Sequence, residues 1–346
     1  KSDKQFIITI DDVEAAEWET HTMDMMFNVE KKAGVTPGAV NTFFIIPSIA
    51  NTITSELTYY AQNGDIHTLH PHVDINTYLN YSWDKTGISV ATYQAAINTD
   101  KALINKLMNT SDYGITAWRF PYTTFCTNSM QAVSNSGFTI DSSSGIGSHG
   151  IQIGDPIDNT VLFPKQLLIK NAKSNLIEME IAAPFDIDCV IPGTATMSPT
   201  VFYDKYNNST TQFKNGNFPM NFVVICHIQG AGTDAGMASG LGKIIKSEQT
   251  ANPNYANFNT LANYINGIKS AKITASISGN RTIVTIVNTR PITDFTMKIS
   301  IGRVTSAKCD DTPIPSSQIK QDTLTSSWYV TQTIDAGKHV FVITTA

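Results

Sequence analysis

Short β-rich runs, separated by helical patterns and followed by polar side chains, are the feature that most constrains the fold of this chain. The first run, residues 5–10, ends at Asp11-Asp12, and the next covers residues 40–46. Residues 90–108 have the apolar spacing of a helix, and residues 115–118 then have the composition of another strand. Strands that alternate with helices indicate parallel β-α-β units. We therefore expect an α/β fold whose parallel strands form either an open sheet or a barrel.

The pattern changes after about residue 269. Residues 295–301 alternate apolar and polar side chains, which is the period of a strand. Gly279-Asn280 lies between two further β-rich runs, where a hairpin turn would fit. The sequence therefore predicts an α/β domain over residues 1–269 and a small all-β sandwich over residues 270–346.

Composition bears on the partners and the compartment of the protein. Charged residues make up 15% of the 346 positions, against roughly 25% in ordinary globular domains, and the net charge is −5. Without a basic excess to neutralise phosphates, we expect no nucleic-acid partner. No apolar run approaches the ~20 residues of a membrane helix, so we expect no membrane span. A surface built from uncharged polar residues favours a secreted, cell-surface or periplasmic protein, and the oligomeric state stays open.

The chain begins without an initiator methionine and without the apolar core of a signal peptide, so we expect a mature or trimmed product. Its four cysteines are Cys126, Cys189, Cys226 and Cys309. Their wide spacing matches no zinc-finger pattern. They allow up to two disulfide bonds, whereas the apolar run before Cys226 favours buried thiols, and the sequence leaves both open.

Five polar segments occur in succession along the predicted α/β domain, four of them directly after apolar strands. They are Asp11-Asp12, the histidine-rich stretch 64–74, Arg119-Phe120-Pro121-Tyr122, Asp141-Ser142-Ser143 and His227. Active sites of parallel α/β sheets and barrels gather at the carboxyl edge of the strands. Imidazole and carboxylate groups together suit Zn²⁺ or a similar first-row metal. Apart from the histidine-rich stretch, each segment alone would more often be structural, but their succession predicts an active site.

In order and spacing, these segments resemble the polysaccharide deacetylases of carbohydrate esterase family four, the NodB-homology domain. The resemblance covers about residues 5–230. The family's first motif, Thr-Phe-Asp-Asp, corresponds to Thr9-Ile10-Asp11-Asp12. The resemblance implies a distorted (β/α) barrel of parallel strands, with Asp11 as the catalytic base and Asp12 as a metal ligand.

The second motif of the family is His-Ser/Thr-x-x-His, six residues after a glycine. The interval from Gly64 to His70 is kept, but Asp74 stands where the second histidine is expected. The resemblance therefore implies one divalent metal ion, preferably Zn²⁺ with Co²⁺ or another first-row metal as alternatives, held by Asp12, His70 and Asp74. His72 is the alternative third ligand, and a loss of metal affinity is also open.

The third motif, Arg-x-Pro-Tyr/Trp, matches Arg119, Pro121 and Tyr122, although Thr123 replaces the glycine that usually follows. By resemblance, Arg119 holds Asp11 ionised. Pro121 and Tyr122 contact the substrate, and the backbone N–H of Tyr122 stabilises the oxyanion together with the metal.

The last two motifs complete the implied site. The fourth is matched loosely, by Asp141 without the usual tryptophan, and the fifth by His227 after its apolar run. In the implied mechanism Asp141 pairs with His227, which protonates the departing amine.

The implied function is a polysaccharide deacetylase, a hydrolase of the C–N bond of linear amides. It would remove N-acetyl groups from a chitin-like or peptidoglycan-like substrate. Two alternatives stay open. One is a glycan-binding protein with a weakened site, which the altered second motif and the loose fourth motif favour. The other is an O-acetyl esterase acting on xylan-type glycans, because the same site can attack an ester.

Overall fold

The computed structural model describes residues 4–13, 23–35, 41–45, 69–71, 83–121, 124–143, 164–181, 198–209, 220–227, 235–249, 254–321 and 326–346. The chain forms two compact units, Lys1–Asn259 and Thr260–Ala346. The first unit combines helices with parallel strands, which confirms the α/β class. The complete barrel and the division of the chain at residue 269 stay predictions.

Strands and helices alternate along the first unit. The strands are β1 (Lys4–Val13), β2 (Asn41–Ile45), β3 (Leu69–Pro71), β4 (Ala117–Trp118), β5 (Ile140–Asp141), β6 (Lys165–Ile169), β7 (Ala172–Glu178), β8 (Met220–His227) and β9 (Asn254–Tyr255). The helices are α1 (Met23–Lys32), α2 (Val90–Leu107), α3 (Thr127–Asn135), α4 (Pro199–Ser209), α5 (Ala235–Gln249) and α6 (Phe258–Ser270), the last of which continues into the second unit. None of the helices in the described part of the chain has the length and apolar character needed to cross a membrane.

A parallel sheet with strand order β3-β2-β1-β8 forms the centre of the first unit, and β9 pairs with the beginning of β1. The apolar side chains at positions 6–8 and 10 of β1 and 222–226 of β8 are buried, as expected for strands covered on both faces. The register aligns four residues in one row across this sheet, namely His70, Phe44, Asp11 and His227. The pairing therefore brings three of the five polar segments to one edge.

A second sheet has the order β4-β5-β7-β6, in which β4, β5 and β7 run parallel and β6 is antiparallel. Its register aligns Trp118, Asp141 and Glu178. A parallel bridge between Ile181 and Val223 joins the chain after β7 to β8 of the central sheet.

Helix α2 shows how the sequence produces local structure and core together. Ser89 caps its first turn by accepting a hydrogen bond from the backbone N–H of Thr92, at 3.1 Å. Tyr93 lies in that first turn, and its ring stacks on Trp83 with centroids 5.0 Å apart. Trp83 also meets Trp118 edge to face at 5.3 Å. Trp118, the last residue of this buried aromatic group, immediately precedes Arg119 in the chain.

Apart from the end of α6, the second unit consists mostly of β-strands. Its strands are β10 (Lys272–Ser278), β11 (Arg281–Asn288), β12 (Ile292–Ile299), β13 (Val304–Cys309), β14 (Thr312–Pro313), β15 (Ile319–Gln321), β16 (Trp328–Ile334) and β17 (Gly337–Thr345), with one 3₁₀ turn at Ser316–Gln318. They form two antiparallel sheets, β10-β11-β17-β13-β14 and β12-β16-β15, whose side chains share one apolar core. The predicted hairpin at Gly279 is confirmed, since β10 pairs with β11 and Gly279 has a φ of +59°.

The cysteines in the described part of the chain are free thiols. Cys126 and Cys226 are buried in the first unit, and Cys309 is half-buried in the second. Cys189 lies outside the described residues.

Candidate active site

Asp11 lies near the carboxyl end of β1 and is only 3% exposed. The strand does not stop there, as the sequence suggested, but continues to Val13. Asp11 pairs with Phe44 and Val13 pairs with Ile45, so Asp12 is an extra residue on the β1 side of the pairing. This is a β-bulge, a feature that occurs often beside active sites.

Arg119 is fully buried and follows β4 directly. Its Nη1 donates to Asp11 Oδ1 at 2.6 Å and to Thr9 Oγ1 at 2.7 Å. Its Nε donates to the Ser142 backbone oxygen at 2.6 Å, and its Nη2 donates to Ser142 Oγ at 2.8 Å. The guanidinium carbon also lies 4.5 Å from the centre of the Phe44 ring. The side chain thus links the two sheets of the first unit.

These contacts explain how a buried cation is tolerated. A charge removed from water is costly unless it is paired and fully hydrogen-bonded. Asp11 supplies the opposite charge, while Thr9 and Ser142 accept the other hydrogen bonds. Thr9 Oγ1 in turn donates to the Val224 backbone oxygen at 2.9 Å, and Ser142 Oγ donates to the Met179 backbone oxygen at 2.7 Å. The Asp11–Arg119 pair is therefore fixed from both sheets.

Asp141 is fully buried one residue before Ser142. Its Oδ1 accepts a hydrogen bond from Ser143 Oγ at 2.9 Å, and Ser143 Oγ accepts from the backbone N–H of Phe120 at 2.9 Å. The carboxyl group of Glu178 lies beside it, and the two can form a hydrogen bond because a proton can be shared between them. Burial raises the pKa of Asp141 to about 6, and the contacts with Glu178, Ser143 and Arg119 limit the rise.

The described contacts of Asp141 differ from the role that the sequence suggested. The expected partner of Asp141 was His227. The structure places Asp141 with Ser143 and Glu178, next to the Arg119 segment. The side chain of His227 lies outside the described residues, so its pairing with Asp141 stays a prediction.

The remaining predicted site residues are described in part. The backbones of Asp12, His70 and His227 lie in β1, β3 and β8, but their side chains lie outside the described residues. Pro121 is buried directly after Phe120. Asp74 and Tyr122 lie outside the described residues altogether, as does the alternative ligand His72.

Three residues that hold the site were not singled out as site residues from the sequence. They are Thr9, Ser142 and Glu178. Thr9 and Ser142 lie in the same motif segments as the predicted site residues Asp11 and Asp141. Glu178 pairs with Asp141 in the register of β5 and β7. The two residues are 37 positions apart, so no local sequence pattern predicts their pairing.

The arrangement provides a carboxylate in fixed orientation, at a strand edge where the register also brings His70 and His227. Such a carboxylate can accept a proton from a nucleophile. Imidazole and carboxylate donors at the same edge are the ligand types of a first-row divalent metal. These residue types suit proton transfer and the binding of a divalent metal.

Comparisons with known proteins bear on the fold. No protein-family model and no curated protein matches the chain. Among solved structures, it is similar to a candidate polysaccharide deacetylase from Mycobacterium smegmatis, with a TM-score of 0.55 at 15% identity over 78% of this chain and 92% of that one. A candidate glycoside hydrolase/deacetylase from Parabacteroides distasonis matches with a TM-score of 0.49 at 8% identity, over 84% and 80% of the two chains. The first similarity confirms the expected likeness to polysaccharide deacetylases at the level of fold.

Proposed function

We propose that this protein is a hydrolase that removes N-acetyl groups from an amino-sugar polysaccharide of the chitin or peptidoglycan type. The observation that carries the proposal is the buried ion pair between Asp11 and Arg119 at the carboxyl edge of β1. A general base must be oriented toward the proton that it removes, and Arg119 fixes Asp11 through a 2.6 Å contact. The fold likeness to a candidate polysaccharide deacetylase supports the same class.

In the proposed reaction, some residues of this chain transfer protons and others bind the substrate. Asp11 accepts a proton from the water that adds to the acetamide carbonyl, while Arg119 holds Asp11 in place. His227, which pairs with Asp11 in the register of β1 and β8, donates a proton to the departing amine. Tyr122 stabilises the oxyanion with its backbone N–H, and Pro121 helps to shape the substrate site. The products are acetate and a free amino sugar.

We assign Asp12, His70 and Asp74 as the ligands of one divalent metal ion, with Zn²⁺ preferred and His72 as the alternative third ligand. Two carboxylates and an imidazole are donors that Zn²⁺ takes in hydrolases. The bulge at Asp12 and the position of His70 in the same row as Asp11 support this assignment. When bound, such an ion supplies Lewis acidity at the substrate carbonyl.

Three broader statements belong to the same proposal. The strands of the first unit close into a distorted (β/α) barrel, which the parallel bridge from Ile181 to Val223 supports. The second unit is a β-sandwich, which the shared core of its two sheets supports. The protein is secreted or lies at the cell surface or in the periplasm, in keeping with its 15% charged residues.

The test measures acetate release and metal content together for the intact protein and for Asp11→Asn. N-acetylated chitin oligomers, peptidoglycan and acetyl-xylan are assayed side by side. Asp84→Asn, at an exposed position, is the matched control. We expect about one metal ion per chain at this site. We also expect release of acetate from an N-acetylated substrate by the native chain and the control, and its loss in Asp11→Asn. Thermal unfolding of Asp11→Asn establishes that the variant is folded.

The other outcomes separate the alternatives. Release from acetyl-xylan alone would make the protein an O-acetyl esterase. Binding of glycan without release from any substrate would make it a glycan-binding protein. Equal activity of Asp11→Asn and the native chain would overturn the assignment of the base.

A further inference from the structure

A cluster of three possible metal ligands lies in the second unit, far along the chain from the proposed active site. One ligand atom each from Cys309, Asp310 and His339 lies within 4.8 Å of the others. His339 Nδ1 is 2.7 Å from Asp310 Oδ2, and Cys309 Sγ is 3.8 Å from the same oxygen. We propose that these three side chains bind a first-row divalent metal ion such as Zn²⁺, with water as the fourth ligand. The inference does not depend on the proposed function.

The backbone brings the ligands together. Asp310 and Asp311 form the turn between β13 and β14, with φ values of +49° and +65°. The backbone N–H of Asp310 donates to the Val340 oxygen at 2.9 Å, and Asp310 Oδ1 accepts from the Val340 N–H at 2.8 Å. Because the turn is tied twice to β17, Asp310 Oδ2 is held next to His339, the residue that precedes Val340.

The hydrogen bonds of His339 indicate a place for a cation. Its Nδ1 faces Asp310 Oδ2, and its Nε2 lies 3.0 Å from the Asp335 backbone oxygen. Both facing atoms are acceptors, whereas a neutral imidazole can donate from only one ring nitrogen. With a metal ion at Nδ1, the Asp310 carboxylate faces a cation and Nε2 can carry the proton that the Asp335 oxygen accepts. A histidine that binds a metal through one nitrogen commonly donates from the other to a backbone carbonyl, as Nε2 can do here.

The distances are close to those of a tetrahedral site. With Zn–S near 2.3 Å and Zn–N or Zn–O near 2.1 Å, two ligand atoms on one zinc ion are about 3.4–3.6 Å apart. The sulfur-to-oxygen distance of 3.8 Å is close to this value, while the nitrogen-to-oxygen distance of 2.7 Å must lengthen. The Asp310 side chain is 47% exposed, so it can move by less than 1 Å and leave room for a water ligand. A thiol, an imidazole and a carboxylate together favour zinc or cobalt over calcium or magnesium.

The test titrates the full chain with Co²⁺ under a reducing agent that contains no thiol. A thiolate bound to Co²⁺ gives a charge-transfer absorption band that carboxylate and imidazole ligands do not give. The proposed active-site ligands include no cysteine, so metal bound there does not contribute to the band. We expect the native chain to show the band and Zn²⁺ to remove it by displacement.

Variants assign the band to its ligands. Cys309→Ser should abolish it, and Asp310→Asn should weaken Co²⁺ binding by about tenfold or more while its amide oxygen can keep the Val340 contact. His339→Gln should also weaken binding. Asp311→Asn, in the same turn but outside the cluster, is the matched control and should bind as the native chain does.

Two results would overturn the proposal. One is the absence of a charge-transfer band in the native chain. The other is a band that persists in Cys309→Ser, which would assign it to another cysteine. Because Asp310→Asn keeps the turn geometry, unchanged Co²⁺ affinity in that variant would argue against the site even if Cys309→Ser failed to fold.

Discussion

At the scale of single residues, the candidate site depends on Arg119. Its guanidinium makes contacts with Asp11 and Thr9 of β1 and with Ser142, which lies directly after β5. A buried ion pair adds little net stability over an apolar pair of the same shape. Removing one partner is costly, however, because the other charge stays buried and unpaired. The pair is thus better explained by the need to orient Asp11 than by stability.

Replacing Arg119 by methionine tests this argument. We expect Arg119→Met to lower the free energy of unfolding by about 3–5 kcal/mol, because Asp11 is left as an unpaired buried carboxylate. The double variant with Asp11→Asn should recover part of the loss. Urea unfolding of the two single variants and the double variant gives the interaction energy. A loss below about 1 kcal/mol in Arg119→Met would mean that Asp11 is solvated or paired in another way.

The raised pKa of Asp141 predicts a pH dependence of stability. Burial raises this pKa to about 6 from an ordinary value of 3.8, so the folded state keeps a proton that the unfolded chain releases. This contribution to stability is full below about pH 4 and is lost as the pH rises through about 6.

Asp141→Asn removes that dependence, and its amide oxygen can keep the bond from Ser143. Relative to the variant, the native chain should lose stability between pH 4 and pH 7, by on the order of 2 kcal/mol. Urea unfolding across this range measures the difference. The free energy of unfolding of Asp84→Asn should change with pH as that of the native chain does. A constant difference between Asp141→Asn and the native chain would show that Asp141 titrates normally.

At the scale of elements, the sequence predicted the regular helix patterns better than it predicted the turns. The helical spacing over residues 90–108 corresponds to α2, Val90–Leu107, because its apolar side chains face the core at a helical period. The hairpin at Gly279 was visible because glycine marks a positive φ. The hairpin between β6 and β7 was missed because Lys170 and Asn171 occupy the positive-φ positions, with φ values of +52° and +63°. Lysine gives no turn signal, so the whole strand β6 was missed with it.

Part of the candidate site could also be predicted from the sequence. Each acid or base stood at the end of an apolar run, and parallel topology brings such ends to one edge. The bulge at Asp12 could not be foreseen, because it depends on how β1 pairs with β2. The bonds from Arg119 to Ser142 and to Thr9 join positions far apart in the chain and depend on tertiary packing.

Gly267 in α6 gives a prediction at the same scale. A Cβ at this position would lie 2.8 Å from Ile292 Cγ1 and 3.3 Å from the Pro291 backbone oxygen. Alanine gains about 1 kcal/mol of helix propensity over glycine, but crowding of a packed core costs about 1–3 kcal/mol. We expect Gly267→Ala to destabilise the protein in thermal unfolding. In an Ile292→Ala background the same change should become neutral or stabilising. A stabilising effect in both backgrounds would mean that the helix moves freely away from β12.

At the scale of the whole molecule, each compact unit has an apolar core of its own. The core of the first unit includes Ile8 of β1, and the core of the second includes Ile343 of β17. Both side chains are fully buried. A unit that buries its own core can unfold as its own cooperative transition.

This separation predicts that core substitutions act on one transition at a time. Ile8→Ala and Ile343→Ala remove the same atoms from fully buried positions, so each should cost about 2–5 kcal/mol in its own unit. In differential scanning calorimetry of the full chain, Ile343→Ala should lower the melting temperature of one transition and leave the other in place, and Ile8→Ala should do the reverse. Hydrogen exchange followed by mass spectrometry assigns each transition to residues 1–259 or 260–346. If both substitutions shift a single common transition, the two units unfold as one cooperative body.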